Sequence, residues 1–528
     1  MNSTPPAVLD CTLRDGGYYT AWDFQQDVVG SYLRAASKLP ISTIELGYCN
    51  LPRDGYFGQY YFLNEATTAR AKGILREDQR LAVMLDEKSV PLTSLDRVVG
   101  EVIGTVDLVR MAVAPTRLAE AAALGRRLRE LGFDVAINIM YLSKYWDSVD
   151  SLSSLSEAAE VSSCLALVDS YGGCTPEQVA IAISSLRELH PQTAAGFHGH
   201  DNMRLAFANS LSAVTAGATI IDSTVTGMGR GPGNTQTETL LVHKYAATPD
   251  ELDYVALHDI VDPFEKLQRE YGWGTNLVYM ISGAAGLPQN RVMDWLGKNR
   301  YSVPSIIHAM QNQSLGSIDE FSYETLGALS ANETDELIVI GGGPTIEEHA
   351  EAVVEYANRS GATVVHANYR HLSLIERLTT RQYVALAGDV VDRLPDRATL
   401  DISDGYIVPA APRIRPVPEF ARARTRQVQP FVVSADTDNL GPVSDIGPLS
   451  LALGAALAND AARVTLVGFD GYAHATSAEQ ELAKESQLLL DAFRKDHPER
   501  EVTSGTRTRF DVPVASIYSR LSALASDE

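Results

Sequence analysis

The sequence of 528 residues predicts an α/β protein in which an N-terminal (β/α)8 barrel precedes a smaller Rossmann-like α/β domain. Three observations lead to this prediction. Eight short apolar segments recur in the first half of the chain, stretches with helical periodicity separate most of them, and a second alternation of strand-like and helical segments follows a polar passage. Because the chain is too long for one compact core, two or more domains are expected.

The predicted barrel strands are short and rich in Val, Ile, Leu and Ala, as strands buried on both faces are. They are Ala7–Leu9, Ser42–Leu46, Leu81–Leu85, Val106–Val113, Asp134–Met140, Leu165–Val168, Ala194–Phe197 and Thr219–Ile221. Between them, segments such as Thr116–Leu131 and Pro176–Leu189 place apolar residues at helical spacing. A doubly wound sheet has the same alternation, but eight strands over about 240 residues favour a closed barrel.

The barrel domain is predicted over residues 1–313, including a helical extension at Pro249–Gln313. The polar passage Ser314–Thr334 separates it from a second domain, predicted over residues 335–528. In the second domain the passage Val408–Gln429 is rich in Pro and Arg and is expected to be a long loop. The predicted strands of this domain are Glu336–Ile340, Thr363–His366, Tyr383–Ala387, Phe431–Ser434 and Val464–Gly468.

Composition excludes several classes of function. Asp and Glu number 67 against 44 Lys and Arg, a net charge of −23, which repels nucleic acid and anionic lipid. The four cysteines, which include no CxxC pair, are too few for a disulfide framework and fit reduced thiols: Cys11, Cys49, Cys164 and Cys174. No signal segment or long apolar run is present, so a cytoplasmic protein is expected.

Candidate metal ligands follow the predicted barrel strands at the end where barrel enzymes carry their reactive groups. His198-Gly199-His200 follows the seventh strand, and this spacing along a strand places both imidazoles on one face. Asp15 follows the first strand, which only the eighth strand separates from the seventh around a closed barrel. Two imidazoles and a carboxylate suit a catalytic divalent cation and leave positions for substrate.

Two further features lie near this predicted metal site. Arg14 precedes Asp15, and it either forms a salt bridge at the barrel rim or neutralises negative charge on a reacting oxygen. The glycine-rich run Gly227–Asn234 follows the eighth strand. It is either a simple turn or a close approach of backbone to substrate, with Asn234 supplying a ligand or a hydrogen bond.

Three motifs together resemble the DRE-TIM metallolyase superfamily: Thr12–Gly16, His198–Asn202 with the following Ala208–Ser210, and Gly227–Asn234. That superfamily includes 4-hydroxy-2-oxovalerate aldolases, hydroxymethylglutaryl-CoA lyases and isopropylmalate or homocitrate synthases. The resemblance covers roughly Val8 to Asn290, and Leu13–Tyr18 is more similar to the aldolase branch than to the branch that condenses acyl-CoA.

The resemblance implies roles for individual residues. Asp15, His198 and His200 match the metal ligands, Asn234 matches a position that completes the metal sphere in the lyase branch, and Arg14 matches the arginine that stabilises the enolate oxygen. The aldolases carry a histidine general base where this chain has Tyr18, and phenols are ordinarily protonated at neutral pH. A second set of positions resembles family residues that contact substrate or the aldehyde oxygen: Glu45, Arg110, Asp169, Ser170 and Tyr279.

The implied reaction is metal-dependent cleavage or formation of a carbon–carbon bond in a 4-hydroxy-2-oxo acid, through an enolate, with pyruvate and an aldehyde as the other reactants. Mn²⁺ or Mg²⁺ is the expected metal, with Co²⁺ or Zn²⁺ as alternatives. Claisen-type chemistry on an acyl-CoA, as in hydroxymethylglutaryl-CoA lyase or isopropylmalate synthase, is the alternative enzyme function. The alternative without catalysis is a sugar- or nucleotide-binding module on a barrel scaffold. A homo-oligomer is expected.

The second domain offers a weaker functional signal. Gly341-Gly342-Gly343-Pro344 follows a predicted strand and either cradles a phosphate group or forms a tight turn into a helix. Val467–Tyr472 also ends a predicted strand. The domain faintly resembles Rossmann-like domains of bacterial surface-polysaccharide pathways, which implies a sugar or nucleotide-sugar ligand.

Overall fold

The computed structural model describes residues 6–287, 292–293, 296, 306–307, 310, 319–327, 334–368, 370–387, 405–413, 417–432, 447–472 and 477–527. The chain forms two compact units, Met1–Met293 and Asp294–Glu528. The predicted boundary passage Ser314–Thr334 lies mostly outside the described residues. Its described part, 319–327, belongs to the second unit, where Asp319 pairs with Arg413. The predicted domain limits stay a prediction.

The first unit is a closed barrel of eight parallel strands arranged in sequence order. The strands are β1 (Ala7–Asp10), β2 (Thr43–Tyr48), β3 (Arg80–Asp86), β4 (Leu108–Val113), β5 (Asp134–Ile139), β6 (Cys164–Asp169), β7 (Ala194–Gly199) and β8 (Ile220–Ser223). Each predicted strand is present, with ends displaced by at most two residues. The prediction of a (β/α)8 barrel is therefore confirmed.

Helices surround the barrel and follow its strands. They are α1 (Thr12–Thr20), α2 (Gln26–Ala36), α3 (Glu65–Lys72), α4 (Leu95–Val99), α5 (Leu118–Glu130), α6 (Leu155–Val161), α7 (Pro176–Leu189), α8 (Ala206–Thr215), α9 (Thr237–Lys244), α10 (Tyr254–Tyr271) and α11 (Leu277–Ala284). Helix α7 begins with a capping box between Thr175 and Gln178 and with a proline in its first turn, as helix starts prefer. The predicted extension beyond α11 lies largely outside the described residues.

The barrel has an apolar core on each side of its strands. Outward-facing side chains of the strands pack against the helices, and Ile137 of β5 and Leu167 of β6 belong to the same buried cluster as Ile183 of α7. The interior is closed at its N-terminal end by small apolar groups: Leu9, Cys11, Ala82, Leu108, Ala136, Cys164 and Ala166. Because these residues fill the lower part of the barrel, substrate can enter only from the C-terminal ends of the strands.

The second unit contains a parallel sheet whose described strands number seven. They are β9 (Glu336–Ile340), β10 (Thr363–His366), β11 (Gln382–Ala385), β12 (Tyr406–Pro409), β13 (Thr425–Val428), β14 (Arg463–Val467) and β15 (Glu501–Ser504). The order β13-β12-β11-β10-β9-β14-β15 places the change of winding direction between β9 and β14. This arrangement confirms the predicted Rossmann-like α/β class.

The helices of the second unit are α12 (Thr345–Glu348), α13 (Ala350–Ser360), α14 (Glu419–Arg422), α15 (Pro448–Ala458), α16 (Ser477–Asp496) and α17 (Ile517–Asp527). The prediction that Val408–Gln429 is a long loop is wrong, because this passage contains the end of β12, α14 and all of β13. Strand β13 lies at the edge of the sheet and pairs with β12, and both strands are four residues long. Such short strands are specified by their pairing across the sheet more than by local composition. Phe431 and Val432 form no strand, and the remainder of predicted strand Phe431–Ser434 lies outside the described residues.

The glycine run after β9 packs tightly against the loop after β14. A carboxylate oxygen of Asp470 accepts a hydrogen bond from the backbone N–H of Thr345 (2.9 Å), and the other accepts from its hydroxyl. A Cβ on Gly343 would overlap this carboxylate. The start of α12 thus holds an internal carboxylate, which favours the tight-turn interpretation of Gly341–Pro344 over a phosphate cradle. None of the helices that the structure describes is long and apolar enough to cross a bilayer.

Candidate active site

The barrel opens at the C-terminal ends of its strands into a cavity of about 270 Å³. Its charged and amide side chains come from α1, β5, β7 and the loops after β7 and β8: Arg14, Asp15, Asn138, His198, His200 and Arg230. Its aromatic wall consists of four tyrosines: Tyr18, Tyr48, Tyr141 and Tyr171. A few convergent charged groups beside an aromatic wall suit a small charged organic substrate.

Helix α1 begins directly after β1 and carries three of these side chains. Tyr18 is four residues beyond Arg14 and three beyond Asp15, so the three side chains share one face of the helix. The Asp10 carboxylate stabilises the helix start, because it accepts hydrogen bonds from the backbone N–H (2.9 Å) and the hydroxyl (2.6 Å) of Thr12. The strand-to-helix turn therefore fixes where Arg14, Asp15 and Tyr18 project.

The glycines at positions 16 and 17 allow α1 to lie close to its neighbours. A Cβ on Gly16 would overlap the thioether of Met228, and a Cβ on Gly17 would overlap the indole of Trp22. Trp22 also donates its indole N–H to the carbonyl oxygen of Arg14 (2.9 Å). The Gly-Gly pair is therefore a packing requirement of this site.

Each of the two histidines is held by a hydrogen bond between its Nδ1 atom and an oxygen acceptor. His198 Nδ1 lies 3.0 Å from a carboxylate oxygen of Asp222, and His200 Nδ1 lies 2.9 Å from the carbonyl oxygen of Asp169. This leaves Nε2 of each ring available, and His198 Nε2 lies 3.5 Å from an Asp15 carboxylate oxygen. Metal-binding histidines are typically oriented by such Nδ1 partners.

Asn234 completes this group from the loop after β8. Its side-chain Nδ2 donates to an Asp15 carboxylate oxygen at 2.7 Å. Its Oδ1 is buried and accepts no hydrogen bond from any part of the chain that the structure describes. A buried carbonyl oxygen without a donor carries a desolvation cost that a cation would relieve. Asp15, His198, His200 and Asn234 therefore fit a divalent cation.

Charge states in the group agree with metal binding. Burial opposes ionisation of Asp15, but Arg14 and the two histidines outweigh it and hold the pKa of this carboxyl below its usual value. Burial, assisted by His198, lowers the pKa of His200 to about 3. At neutral pH the group therefore offers a carboxylate and a neutral imidazole, the forms that ligate metals.

A second set of potential ligand atoms lies just below this group. Cys11, His198 and Asp222 have ligand atoms within 4.8 Å of one another. Burial raises the pKa of the Cys11 thiol well above its usual value. Asp222 is already engaged by Arg110 and by His198 Nδ1. These contacts favour a supporting role for Asp222 and leave the Nε2 side of His198 as the ligand side.

A closed ring of charged side chains lies beneath and around the cavity. Glu45 accepts from Arg14 Nε at 2.8 Å, and its Oε2 atom also lies 3.2 Å from Nη1 of Arg110, which is not aligned for a hydrogen bond. Arg110 in turn pairs with Asp222. The ring continues through His198 and Asp15 back to Arg14. The site is thus anchored by buried, mutually compensating charges from α1, β2, β4, β7 and β8.

The barrel unit is similar to known enzymes and to a solved structure. The HMGL-like family matches residues 100–262. A 4-hydroxy-2-oxovalerate aldolase of Burkholderia pseudomallei (strain K96243) is 31% identical over 241 residues, which are 44% of this chain and 67% of that enzyme. The solved N-terminal domain of a proposed aldolase from Bacteroides vulgatus is 39% identical, with a TM-score of 0.54, over 57% of this chain and 99% of that domain.

The chain belongs to the HMGL-like family. An oxaloacetate decarboxylase of Mycobacterium tuberculosis (strain ATCC 25618 / H37Rv) is also similar, at 27% identity over 45% of this chain and 69% of that enzyme. The resemblance carried by the three sequence motifs is thereby confirmed, and the chain is a carbon–carbon lyase of this divalent-metal-dependent family.

In this HMGL-like enzyme, other predicted site residues lie at different distances from the cavity. Ser170 lines it, and its hydroxyl accepts from the backbone N–H of Tyr141 (2.8 Å). Glu45 and Arg110 are buried beneath it within the charged ring. The Asp169 carboxylate is turned to its own loop and accepts from the backbone N–H of Cys174 (3.0 Å).

Tyr279, on α11, is not among the residues that line the cavity. Its ring packs against Gly231, where a Cβ would lie 2.8 Å from the ring. Its carbonyl oxygen accepts from the amide of Asn202 (3.0 Å). Burial raises the pKa of Tyr279, so its hydroxyl is protonated at neutral pH. Here the residue supports the glycine-rich loop; a role at the aldehyde oxygen stays a prediction.

Sequence reasoning did not select Arg230 or Tyr48, which the structure places beside Tyr18. The Arg230 guanidinium lies 3.8 Å from the centre of the Tyr18 ring. Burial, followed by Tyr18, raises the pKa of Tyr48 well above its usual range. Arg230 is the one charged residue in the Gly227–Asn234 run, and that isolated charge was the available signal. Tyr48 had none, because it lies outside all three motifs.

Proposed function

We propose that this enzyme is a divalent-metal-dependent aldolase that cleaves a 4-hydroxy-2-oxo acid into pyruvate and an aldehyde, or catalyses the reverse. The observation that carries the proposal is the convergence of Asp15, His198, His200 and the unpartnered amide oxygen of Asn234 beside Arg14. The similarity to 4-hydroxy-2-oxovalerate aldolases supports the same reaction class.

Asp15, His198, His200 and Asn234 would hold the cation, with Mn²⁺ or Mg²⁺ as the proposed metal. Mixed oxygen and imidazole donors suit Mn²⁺ in particular, and Co²⁺ or Zn²⁺ would also fit them. When bound, the cation supplies a Lewis acid that polarises the keto oxygen and stabilises the enolate.

Arg14 contributes a fixed positive charge on the same side of the cavity. Glu45 and Asp15 hold its Nε and Nη1 atoms, so the guanidinium cannot swing away from the cavity wall that it lines. Such a preorganised cation stabilises negative charge that develops on the keto oxygen as the carbon–carbon bond breaks. Arg14 also neutralises part of the charge of the 2-oxo acid before reaction.

Tyr18 is the proposed proton acceptor. Its deprotonated Oη takes the proton of the 4-hydroxyl, the C3–C4 bond breaks, and the aldehyde leaves while the bonding electrons pass to the enolate of pyruvate. The proton then returns from Tyr18 to C3 of the enolate, which yields pyruvate and restores the phenolate. The guanidinium of Arg230 lies over the Tyr18 ring, 3.8 Å from its centre, and limits where the phenol can point.

Decarboxylation of a 2-oxo diacid is a second candidate, favoured by the similarity to an oxaloacetate decarboxylase. It produces the same pyruvate enolate, but the leaving group is carbon dioxide and no hydroxyl proton is removed. The two reactions therefore differ in their need for Tyr18. Tyr18→Phe should strongly slow aldol cleavage and leave decarboxylation unchanged.

The test is pyruvate release from a panel of 4-hydroxy-2-oxo acids and from oxaloacetate, with Mn²⁺ or Mg²⁺ added and then chelated. Pyruvate from a 4-hydroxy-2-oxo acid should require metal and should be lost in His200→Ala. Release from oxaloacetate alone would favour decarboxylation. Reaction with acyl-CoA thioesters and with none of the 2-oxo acids would refute both proposals and favour Claisen-type chemistry.

A further inference from the structure

Arg230 differs from the other arginines of the site in its charge balance. Arg14 is paired with Asp15 and Glu45, and Arg110 with Glu45 and Asp222. No described residue places a carboxylate within ion-pair distance of Arg230, although this side chain lines the same cavity. Among the described residues, Arg230 is therefore an arginine of the cavity wall that has no carboxylate at ion-pair distance.

The loop around Arg230 is held in place, so this cation has a defined position. The Tyr19 hydroxyl donates to the carbonyl oxygen of Gly231 (3.2 Å), and the backbone N–H of Gly274 donates to the same oxygen (3.0 Å). A Cβ on Gly229 would overlap the side-chain amide of Asn234. The loop is thereby packed against Asn234, one of the proposed metal ligands, and its Arg230 lies over the Tyr18 ring.

The position of Arg230 relates it to one half of the substrate. In the proposed reaction the 2-oxo acid half lies at Arg14 and the proposed metal ligands, and the 4-hydroxyl lies at Tyr18. The guanidinium lies over the Tyr18 ring, 3.8 Å from its centre. The group attached to C4, which leaves in the aldehyde, therefore lies within reach of Arg230.

We propose that Arg230 binds a carboxylate on the aldehyde half of the substrate, so that the enzyme cleaves 4-hydroxy-2-oxo diacids. This inference rests on the aldolase function proposed above. The Arg230 guanidinium has no carboxylate partner among the described residues, and its planar fork matches the two oxygens of a substrate carboxylate. The aldehyde released is then itself an acid.

The contact with Tyr18 holds the Arg230 guanidinium in place and so increases its selectivity for a carboxylate. A guanidinium fixed over an aromatic ring keeps its N–H groups in one plane and loses little conformational entropy when it binds an anion. The cavity also shields the pair from water, which strengthens its electrostatic attraction. A substrate with an uncharged C4 substituent would leave this partly desolvated cation without a partner, so the site disfavours it.

The test is calorimetric binding of two uncleavable analogues to the Mn²⁺-loaded full-length enzyme. 2-Oxoglutarate and 2-oxopentanoate share the 2-oxo acid and chain length, lack the 4-hydroxyl, and differ in a terminal carboxylate against a methyl group. The wild type should bind 2-oxoglutarate roughly 100-fold more tightly, as expected for a buried charge pair. Arg230→Met should bind both with similar affinity, and Arg230→Lys should retain part of the preference.

Arg204→Met is the matched control, because it removes one arginine charge at an exposed position outside the cavity wall. It should keep the wild-type preference. Unchanged affinity of Arg230→Met for 2-oxopentanoate shows that its site is folded. Equal binding of both analogues by the wild type, or a preference that survives in Arg230→Met, refutes the role of Arg230 and leaves the aldolase function standing. Binding of neither analogue refutes both.

Discussion

Replacement of Arg110 by methionine tests whether the charged ring beneath the cavity stabilises the barrel. Arg110 is 2% exposed and lies between the carboxylates of Glu45 and Asp222. Methionine fills much of the same volume without the charge, so the substitution mainly removes the compensating cation. Two carboxylates would then remain buried with one fewer partner each. The cost of burying these charges at neutral pH would lower the free energy of unfolding.

The expected cost follows from the burial of the ring. Removal of one member of a buried ion pair costs about 3–5 kcal/mol, a large part of the roughly 5–15 kcal/mol that stabilises a typical domain. For a domain of this size each kcal/mol lowers the melting temperature by about 2–4 °C. Arg110→Met should therefore melt about 10 °C below the wild type.

Tryptophan fluorescence is the suitable measurement, because Trp22, Trp146 and Trp273 lie in the barrel unit and the fourth tryptophan, Trp295, follows closely. Arg127→Met is the control. Arg127 makes a comparable two-pronged contact with Asp96 (2.9 and 2.6 Å), but on the exposed surface of the barrel. Its melting temperature should stay close to that of the wild type. Equal, small shifts in both variants would refute the argument that buried compensation stabilises this barrel.

Two further substitutions test α1. Tyr18→Phe should lower kcat for cleavage by about 10²- to 10⁴-fold, the usual contribution of a general base, while calorimetry should show unchanged Mn²⁺ affinity; an unchanged kcat would exclude Tyr18 as the base. Gly17→Ala should lower the free energy of unfolding by about 1–3 kcal/mol, because the new methyl group overlaps the Trp22 indole. Gly100→Ala, where an added Cβ has no atom within 4 Å, should be close to wild type in the same circular dichroism melts.

The barrel was predictable because its strands are buried on both faces. Each strand is therefore a nearly continuous apolar run, which contrasts with the mixed composition of the helices between them. The strands Gln382–Ala385 and Thr425–Val428 of the second unit lack this contrast, since Gln, Arg and Thr interrupt them. The first was located within two residues, and the second was missed together with Tyr406–Pro409 and Glu501–Ser504. Short strands are specified by pairing across the sheet, which a local composition pattern does not contain.

Some site residues could likewise be predicted from local sequence spacing, and others depend on contacts between distant parts of the chain. Arg14, Asp15 and Tyr18 occupy one helix face, and His198 and His200 occupy alternate positions at one strand end, so local spacing alone indicates that each set acts together. Asp222 had no such local signal. Its contact with His198 depends on the neighbouring positions of β7 and β8 in the closed barrel.

Asp222 lies on one strand, and its charge state depends on partners from two other strands. Burial opposes its ionisation, but Arg110 and His198 outweigh burial and lower the pKa of Asp222 to about 2. The group is thus a carboxylate throughout the physiological range, and it favours the tautomer of His198 that carries a proton on Nδ1 and a free lone pair on Nε2. A charged residue inside an apolar strand is costly unless another strand supplies its partner. Glu45, Arg110 and Asp222, each on a different buried strand, therefore belong to one network, and that network orients a proposed metal ligand.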